Sequence, residues 1–420
     1  MSLLSTPQEP IYRNPDQSGV VADESCRLTR WSRNLVLKRL DQLQGGRIVL
    51  HEGTNRYTLG QGDSHSMAAE IYVRQPQFYR RVLTGGSLGA AESYMDGDWA
   101  TDDLPDLLSV FAKDWNVSCE LNQGWRWWRK PLERTWNWLR RNTLAGSRKN
   151  IADHYDLSNE FYGLWLDETM NYSSGVFDSP ESTLAEASVR KMDVVSQRLE
   201  LKPTDHLLEI GTGWGALARH AAEQYGCRVT TTTISQQQYN LARERFDRSP
   251  ARGRLTLLDH DYRELKGQFD KLVSIEMIEA VGHEYHKNFF RQCSDLLKPG
   301  GKMVLQAITI PDQRYDDYRR SVDFIQRYIF PGGALPSMGA IHRAVGQHTA
   351  LLPVAVQDYG LHYARTLEAW RERFFDRIHE VRRLGFDDRF IRMWDYYLSY
   401  CIAGFKERHI GVVQMEFIKA

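Results

Sequence analysis

Nine residues, Leu207-Leu-Glu-Ile-Gly-Thr-Gly-Trp-Gly215, join a buried-strand pattern to a glycine turn and the start of a helix. Glycines let backbone N–H groups approach a ligand with no Cβ in the way. The helix that follows, from Ala216, offers unpaired donors to an anionic group. The spacing is that of a loop for a nucleotide cofactor. Gly211-x-Gly213-x-x-Ala216 also satisfies the dinucleotide fingerprint, which usually wants an Asp or Glu about 20 residues on to hold a ribose. The next strand, Cys227 to Ser235, supplies hydroxyls instead. That argues against NAD or FAD, yet doubly wound proteins with other nucleotide cofactors often place an acid there too. The surrounding residues have to choose.

The loop needs a sheet behind it. From Ile151 to about Ile308 a helix is followed by strands alternating with helices, the strands being Leu207–Ile210, Arg228–Thr233, Leu255–Leu258, Lys271–Ile275 and Lys302–Ala307. Such alternation implies a parallel α/β sheet with helical crossovers, with ligands beyond the carboxyl ends of the strands. The tail from Tyr315 to Ala420 reads as helical and aromatic, broken most strongly at Phe330-Pro-Gly-Gly333, and is expected to cover that edge. Residues 26 to about 115 mix short alternating runs (Gly46 to His51, Ala69 to Arg74) with a glycine-rich turn at Gly85-Gly86 and a helical Leu104 to Phe111. A small α+β domain without a catalytic constellation fits.

At 420 residues, with 54 basic and 54 acidic side chains, two domains are expected and bulk charge predicts no nucleic-acid partner. Five cysteines without CxxC spacing suggest reduced thiols, and no metal site is visible. Residues 1–25 read as a disordered tail, and no window reaches the roughly 18 apolar residues of a membrane-spanning helix. Residues 123–150 differ sharply: Trp125, Trp127, Trp128, Trp136 and Trp138 interleave with eight Arg and Lys, opposed only by Glu133. Tryptophan settles between headgroup and acyl chain while basic side chains seek anionic lipid, so an interfacial linker is expected. The same composition also suits a staple between two domains.

Read in order, the residues at the sheet edge are His154-Tyr-Asp-Leu-Ser-Asn159, Met170-Asn-Tyr-Ser-Ser174, Glu209-Ile-Gly-Thr-Gly-Trp-Gly215 and Thr233-Ile-Ser-Gln-Gln-Gln238. Then come Asp261-Tyr-Arg263, Glu276-Met-Ile-Glu279-Ala-Val-Gly282 and Tyr328-Ile-Phe-Pro-Gly-Gly333. This set resembles the cyclopropane-fatty-acid synthase family of S-adenosylmethionine methyltransferases, from about residue 30 to the end and most densely after 151. The resemblance implies a doubly wound, Rossmann-like class I methyltransferase sheet with helical cover, spanning 151–420, preceded by a lipid-handling domain at 26–122. It implies that Tyr172 and Ser173 contact the methionine end of the cofactor, and that Glu209, Gly211 and Gly213 line its backbone. Thr233 and Gln238 would lie by the ribose and methionine, and Asp261, Tyr262 and Arg263 by the adenine. Trp214 reads as a packing residue.

The family's substrate is a cis alkene inside a phospholipid acyl chain, and attack on the sulfonium methyl leaves a carbocation. Aromatic faces stabilise such a cation and water must be excluded. Tyr363, Tyr328, Phe330 and Phe177 are the candidate lining residues. In the family a bound bicarbonate removes the proton that closes the ring. The resemblance gives its carboxyl ligand as Glu279, with Tyr363, Ser174, Gln306 and the backbone at Ile308 around it. Ser174 stands where most relatives have cysteine and Gln306 where bacterial ones have histidine. Thiol and alcohol differ in size and acidity. A lost or shifted anion would let the cation shed another proton, giving a methylated, unsaturated chain without a ring. The expected setting is cytoplasmic, peripheral at the inner membrane face, with a phospholipid surface as partner and a homodimer allowed.

Overall fold

The computed structural model describes residues 27–62, 67–114 and 157–420. The tail 1–25, the tryptophan-rich stretch 123–150, Cys26, Cys119 and the start of the His154 motif lie outside them. The chain divides into two compact units: the described residues up to Asp114 together with Asp387–Ala403, and those from 157 to Phe386 together with Gly404–Ala420.

The first unit contains a four-stranded sheet of β1 (Arg47–Glu52), β2 (Asn55–Leu59), β3 (Ala68–Val73) and β4 (Trp99–Ala100), in the order β2-β1-β3-β4. Glycines 85 and 86 do not join strands. They fall inside the helix Gln77–Met95, which kinks at Gly86 (φ 59°, ψ −140°), a conformation open to glycine. The Tyr94 hydroxyl donates to Asp395 (2.7 Å), which ties the segment Asp387–Ala403 to that helix.

The second unit carries the expected parallel strands: β5 (His206–Ile210), β6 (Arg228–Thr232), β7 (Leu255–Leu258), β8 (Phe269–Ile275) and β9 (Leu297–Thr309), adjacent in the order β9-β8-β5-β6-β7. Successive residues of a strand face opposite sides. Leu207 accordingly buries with Ala218, Ala221 and Val229, while Leu208 buries with Phe289, Phe290 and Cys293, so apolar cores cover both faces. The helix Leu184–Arg198 begins on a capping box in which Thr183 and Glu186 satisfy each other's backbone N–H groups.

The tail is not helical throughout. It adds β10 (Leu351–Asp358) and β11 (Gly411–Lys419), antiparallel to each other, with β11 lying between β10 and β9. Val413, Met415 and Phe417 alternate along β11 and bury in the core with Phe289 and Phe290. That period of two decides for strand over the helical pattern that precedes it. Among the described residues no helix is long and apolar enough to cross a membrane.

Candidate active site

The glycine loop leaves β5 in left-handed conformations at Gly211 (φ 102°), Gly213 (φ 53°) and Gly215 (φ 87°). The N–H groups of Gly211 and Thr212 both donate to Thr232 O (3.1 Å each), tying the loop to β6. The glycines differ in what surrounds them. A Cβ on Gly215 would lie 2.6 Å from Phe246, whereas one on Gly213 meets nothing within 4 Å. Gly215 is required by packing, and Gly213 opens onto free space at the carboxyl edge of the sheet. The loop therefore fits a ligand laid against Gly213. Glu209 is buried beneath it, accepts from Thr231 Oγ1 (2.6 Å), and burial raises its carboxyl to about 8. Trp214 is buried against Tyr162, its indole N–H donating to Asn159 (2.7 Å).

After β6, Thr233 Oγ1 donates to Gln238 Oε1 (3.0 Å), so these two expected cofactor residues meet, both buried. Asp261 is buried and holds Arg263 through its backbone N–H (3.0 Å) and through Nε and Nη2 (2.8 and 2.6 Å); Tyr262 packs edge-on against Phe289. The turn expected beside the adenine is thus held by an Asp–Arg fork.

Before β5, the segment Asp167–Ser174 folds back over the edge. Asp167 accepts from Thr169 Oγ1 (2.6 Å) and Met170 takes a left-handed φ of 59°. Lys191, fully buried in the helix Leu184–Arg198, donates to Asn171 Oδ1 (3.0 Å) and Ser173 Oγ (2.7 Å) on either side of Tyr172. Burial lowers its ammonium to about 8. A buried charge with two oxygen partners fixes that loop firmly.

Glu276 and Glu279 lie just past the carboxyl end of β8. Ile275 pairs with Gln306 across β8 and β9, which places Glu276 beside Gln306. Glu276 holds a left-handed φ of 49°, its N–H donating to Gln306 O (2.8 Å). Such strain costs about 1–3 kcal/mol and persists where the surroundings over-determine it. Three donors converge on its carboxylate: Ser174 N (3.0 Å) and Gln306 Nε2 (2.7 Å) on Oε1, and the Tyr363 hydroxyl (2.7 Å) on Oε2. Gln414 on β11 donates to Gln306 Oε1 (2.9 Å), which turns the Gln306 amide nitrogen toward Glu276. Glu279, one short turn further, accepts from Ile308 N (2.5 Å), while its Oε2 is shut off from solvent without a partner. Burial raises both carboxyls; the charge of Glu276 adds to the effect at Glu279, which reaches about 8.

Three of the groups that the resemblance places around an anion, Tyr363, Ser174 and Gln306, therefore converge on Glu276. The fourth, Ile308 N, binds Glu279. The Ser174 hydroxyl points elsewhere, donating to Gly175 O (3.0 Å); only its backbone reaches the carboxylate. A bicarbonate does not fit donors that a side chain already engages.

Aromatic rings wall this region. Tyr172 packs on Tyr162, Trp165, Trp370 and Phe330 at centroid distances of 5.3–6.2 Å, and Tyr363 meets Trp370 (6.0 Å) and Phe405 (4.6 Å). Tyr328 lies on a wide helical turn, Ile325–Ile329, whose i→i+5 bond from Phe330 N presents Phe330 toward Tyr172. Phe177 sits apart from this wall, stacked on His362 and covered by the Arg365 guanidinium (4.1 Å).

The sequence reading gives no role to Glu276, Lys191, Trp165 or Trp370. Two acids three residues apart just past a strand were the available signal for Glu276. Lys191 had none, since its solvent-free position depends on contacts from Asn171 and Ser173, about twenty residues earlier.

A family profile described as mycolic acid cyclopropane synthetase matches residues 143–415. The chain is 38% identical over 396 residues to the tuberculostearic acid methyltransferase of Mycobacterium tuberculosis, covering 92% of this chain and 90% of the relative. It is 36% identical over 364 residues to the cyclopropane-fatty-acyl-phospholipid synthase of Escherichia coli, covering 84% and 88%. A solved mycolic acid cyclopropane synthase, complexed with SAH and CTAB, matches with a TM-score of 0.61 at 30% identity over 65% of this chain and 98% of that one.

Proposed function

We propose, from the premise that this chain belongs to the mycolic acid cyclopropane synthetase family and is an S-adenosylmethionine-dependent methyltransferase, that it methylates the cis double bond of an unsaturated phospholipid acyl chain and closes a cyclopropane ring. The observation that carries this reading is the juxtaposition of an aromatic wall with two half-buried carboxyls, joined at Tyr363, which packs on Trp370 and donates to Glu276. When bound, S-adenosylmethionine supplies an electrophilic methyl carbon that the alkene's π electrons attack, leaving positive charge on the acyl chain. The residues that would hold the cofactor are Gly213 with its open flank, Ser173 as braced by Lys191, and the Thr233–Gln238 pair. Tyr172, Phe330, Trp370 and Tyr363 offer ring faces to the developing cation. A small-molecule N- or O-methyltransferase would instead want a polar pocket.

A second outcome of the same chemistry is a methylated chain without a ring. Its support is the 38% identity, over most of both chains, to a tuberculostearic acid methyltransferase. We further propose that the basic tryptophan-rich stretch 123–150 meets anionic lipid at the inner membrane face.

The test incubates the purified protein with S-adenosylmethionine and vesicles of monounsaturated phosphatidylglycerol, followed by mass spectrometry of the fatty-acid methyl esters. A species heavier by CH2 is expected, and it should resist mild hydrogenation. Uptake of hydrogen assigns the ringless product. No heavier species, from protein that binds S-adenosylhomocysteine, refutes the proposal.

A further inference from the structure

Resting on that reading, we propose that Glu276 is the built-in proton acceptor of this enzyme, its carboxylate occupying the place of a bound anion. Ser174 N, Gln306 Nε2 and the Tyr363 hydroxyl converge within 3.0 Å on one carboxylate. A carboxylate and a bicarbonate present the same planar pair of oxygens, so a site shaped for one accepts the other. Here the oxygens are covalently attached through a side chain that leaves β8 in a left-handed conformation, φ 49°. That strain is repaid by four hydrogen bonds, three to the carboxylate and one from Glu276 N to Gln306 O. The Gln414–Gln306 contact (2.9 Å) orients the amide as a donor, which would be idle without a negative partner.

The step balances without a further reagent. The carbocation left by methyl transfer loses one C–H proton to Glu276, and the electron pair of that bond closes the ring or forms the new double bond, according to which carbon gives up the proton. Glu276 becomes a neutral acid beside Glu279 and returns its proton to solvent on product release. The Tyr363 hydroxyl, bonded to Oε2, sets the direction from which the carboxylate faces the aromatic wall.

Three proteins test this in carbon-dioxide-depleted buffer: wild type, Glu276→Gln and Glu276→Gly. Glycine suits the left-handed φ and clears the three donors, while glutamine fills the site with a group that cannot take a proton. Wild-type turnover should change less than about twofold on adding millimolar bicarbonate. Glu276→Gln should fall at least about 100-fold and stay there, and Glu276→Gly should fall similarly but recover in part with bicarbonate. Retained affinity for S-adenosylhomocysteine by calorimetry shows that both variants fold. A second readout needs no turnover: 13C-labelled bicarbonate should show line broadening with Glu276→Gly and none with wild type. Stimulation of wild type by bicarbonate, binding of labelled bicarbonate to wild type, or near-normal turnover of Glu276→Gln overturns the assignment. A wild type that makes no product in either buffer refutes the acyl-chain reading instead, and the labelled-bicarbonate titration still decides the role of the donors.

Discussion

Replacing Glu279 with glutamine reads the electrostatics of the carboxyl pair through stability. Burial first, then the charge of Glu276, raises Glu279 from 4.5 to about 8. The folded protein therefore keeps this proton through neutral pH, whereas the unfolded chain releases it near 4.5. A raised folded-state pKa contributes stability that is fully present below the unfolded value and is lost as pH climbs to the folded one. The wild type should lose stability between about pH 4.5 and about pH 8 and level off above. At about 1.4 kcal/mol per pH unit the ceiling is about 5 kcal/mol, and the expected share is about 2–3 kcal/mol because the residue is not wholly enclosed. The glutamine oxygen can still accept from Ile308 N, and any mismatch of its amide nitrogen is a constant offset, independent of pH. Glu209 and Asp323, raised in the same direction, act equally in both proteins and cancel. Equilibrium urea unfolding at about pH 5 and about pH 8 measures the effect. Glu279→Gln should gain about 2–3 kcal/mol on wild type between the two conditions. Parallel stability curves for the two proteins would refute the assignment of a proton to Glu279.

Two glycines of the loop should separate stability from binding. Gly215→Ala, with φ 87° and a Cβ 2.6 Å from Phe246, should lose about 2–4 kcal/mol by chemical denaturation. Gly213→Ala, with φ 53° and open space, should lose only about 1 kcal/mol but weaken S-adenosylhomocysteine binding at least about tenfold by calorimetry. Gln414→Leu removes the buried donor to Gln306 Oε1 and should cost about 1–3 kcal/mol in the same unfolding assay. Neutralising Arg126, Arg129, Arg140 and Arg141 together should weaken co-sedimentation with anionic vesicles at low salt, by about 1 kcal/mol per residue, with the difference vanishing at high salt.

The parallel strands were legible because their signals are local: apolar runs of four to seven residues, a glycine turn after one of them, and helical periods between. The two strands of the tail were not. β11 is nine residues long after a run of aromatic helices, and its place between β9 and β10 depends on a partner about 110 residues earlier. Thr233 and Gln238 were named as cofactor residues by the resemblance, while their contact was seen only in the fold. Ser174, Gln306 and Tyr363 were legible only as a set of residue types, with their common target, Glu276, missing.

The residues alone determined that a strand, a glycine loop and a helix would make a nucleotide-cofactor site. The resemblance carried by the chain's motifs also named several of the side chains at the sheet edge, Tyr172, Gln306, Phe330 and Tyr363 among them, but gave no role to Glu276, Lys191, Trp165 or Trp370. Which carboxylate those donors serve was decided by the tertiary structure. The parallel register of β8 against β9 sets Gln306 beside Glu276, and Tyr363 and Ser174 arrive from segments about 90 residues later and about 100 residues earlier. A hydrogen bond forms only across about 3 Å, and no sequence separation reports that distance.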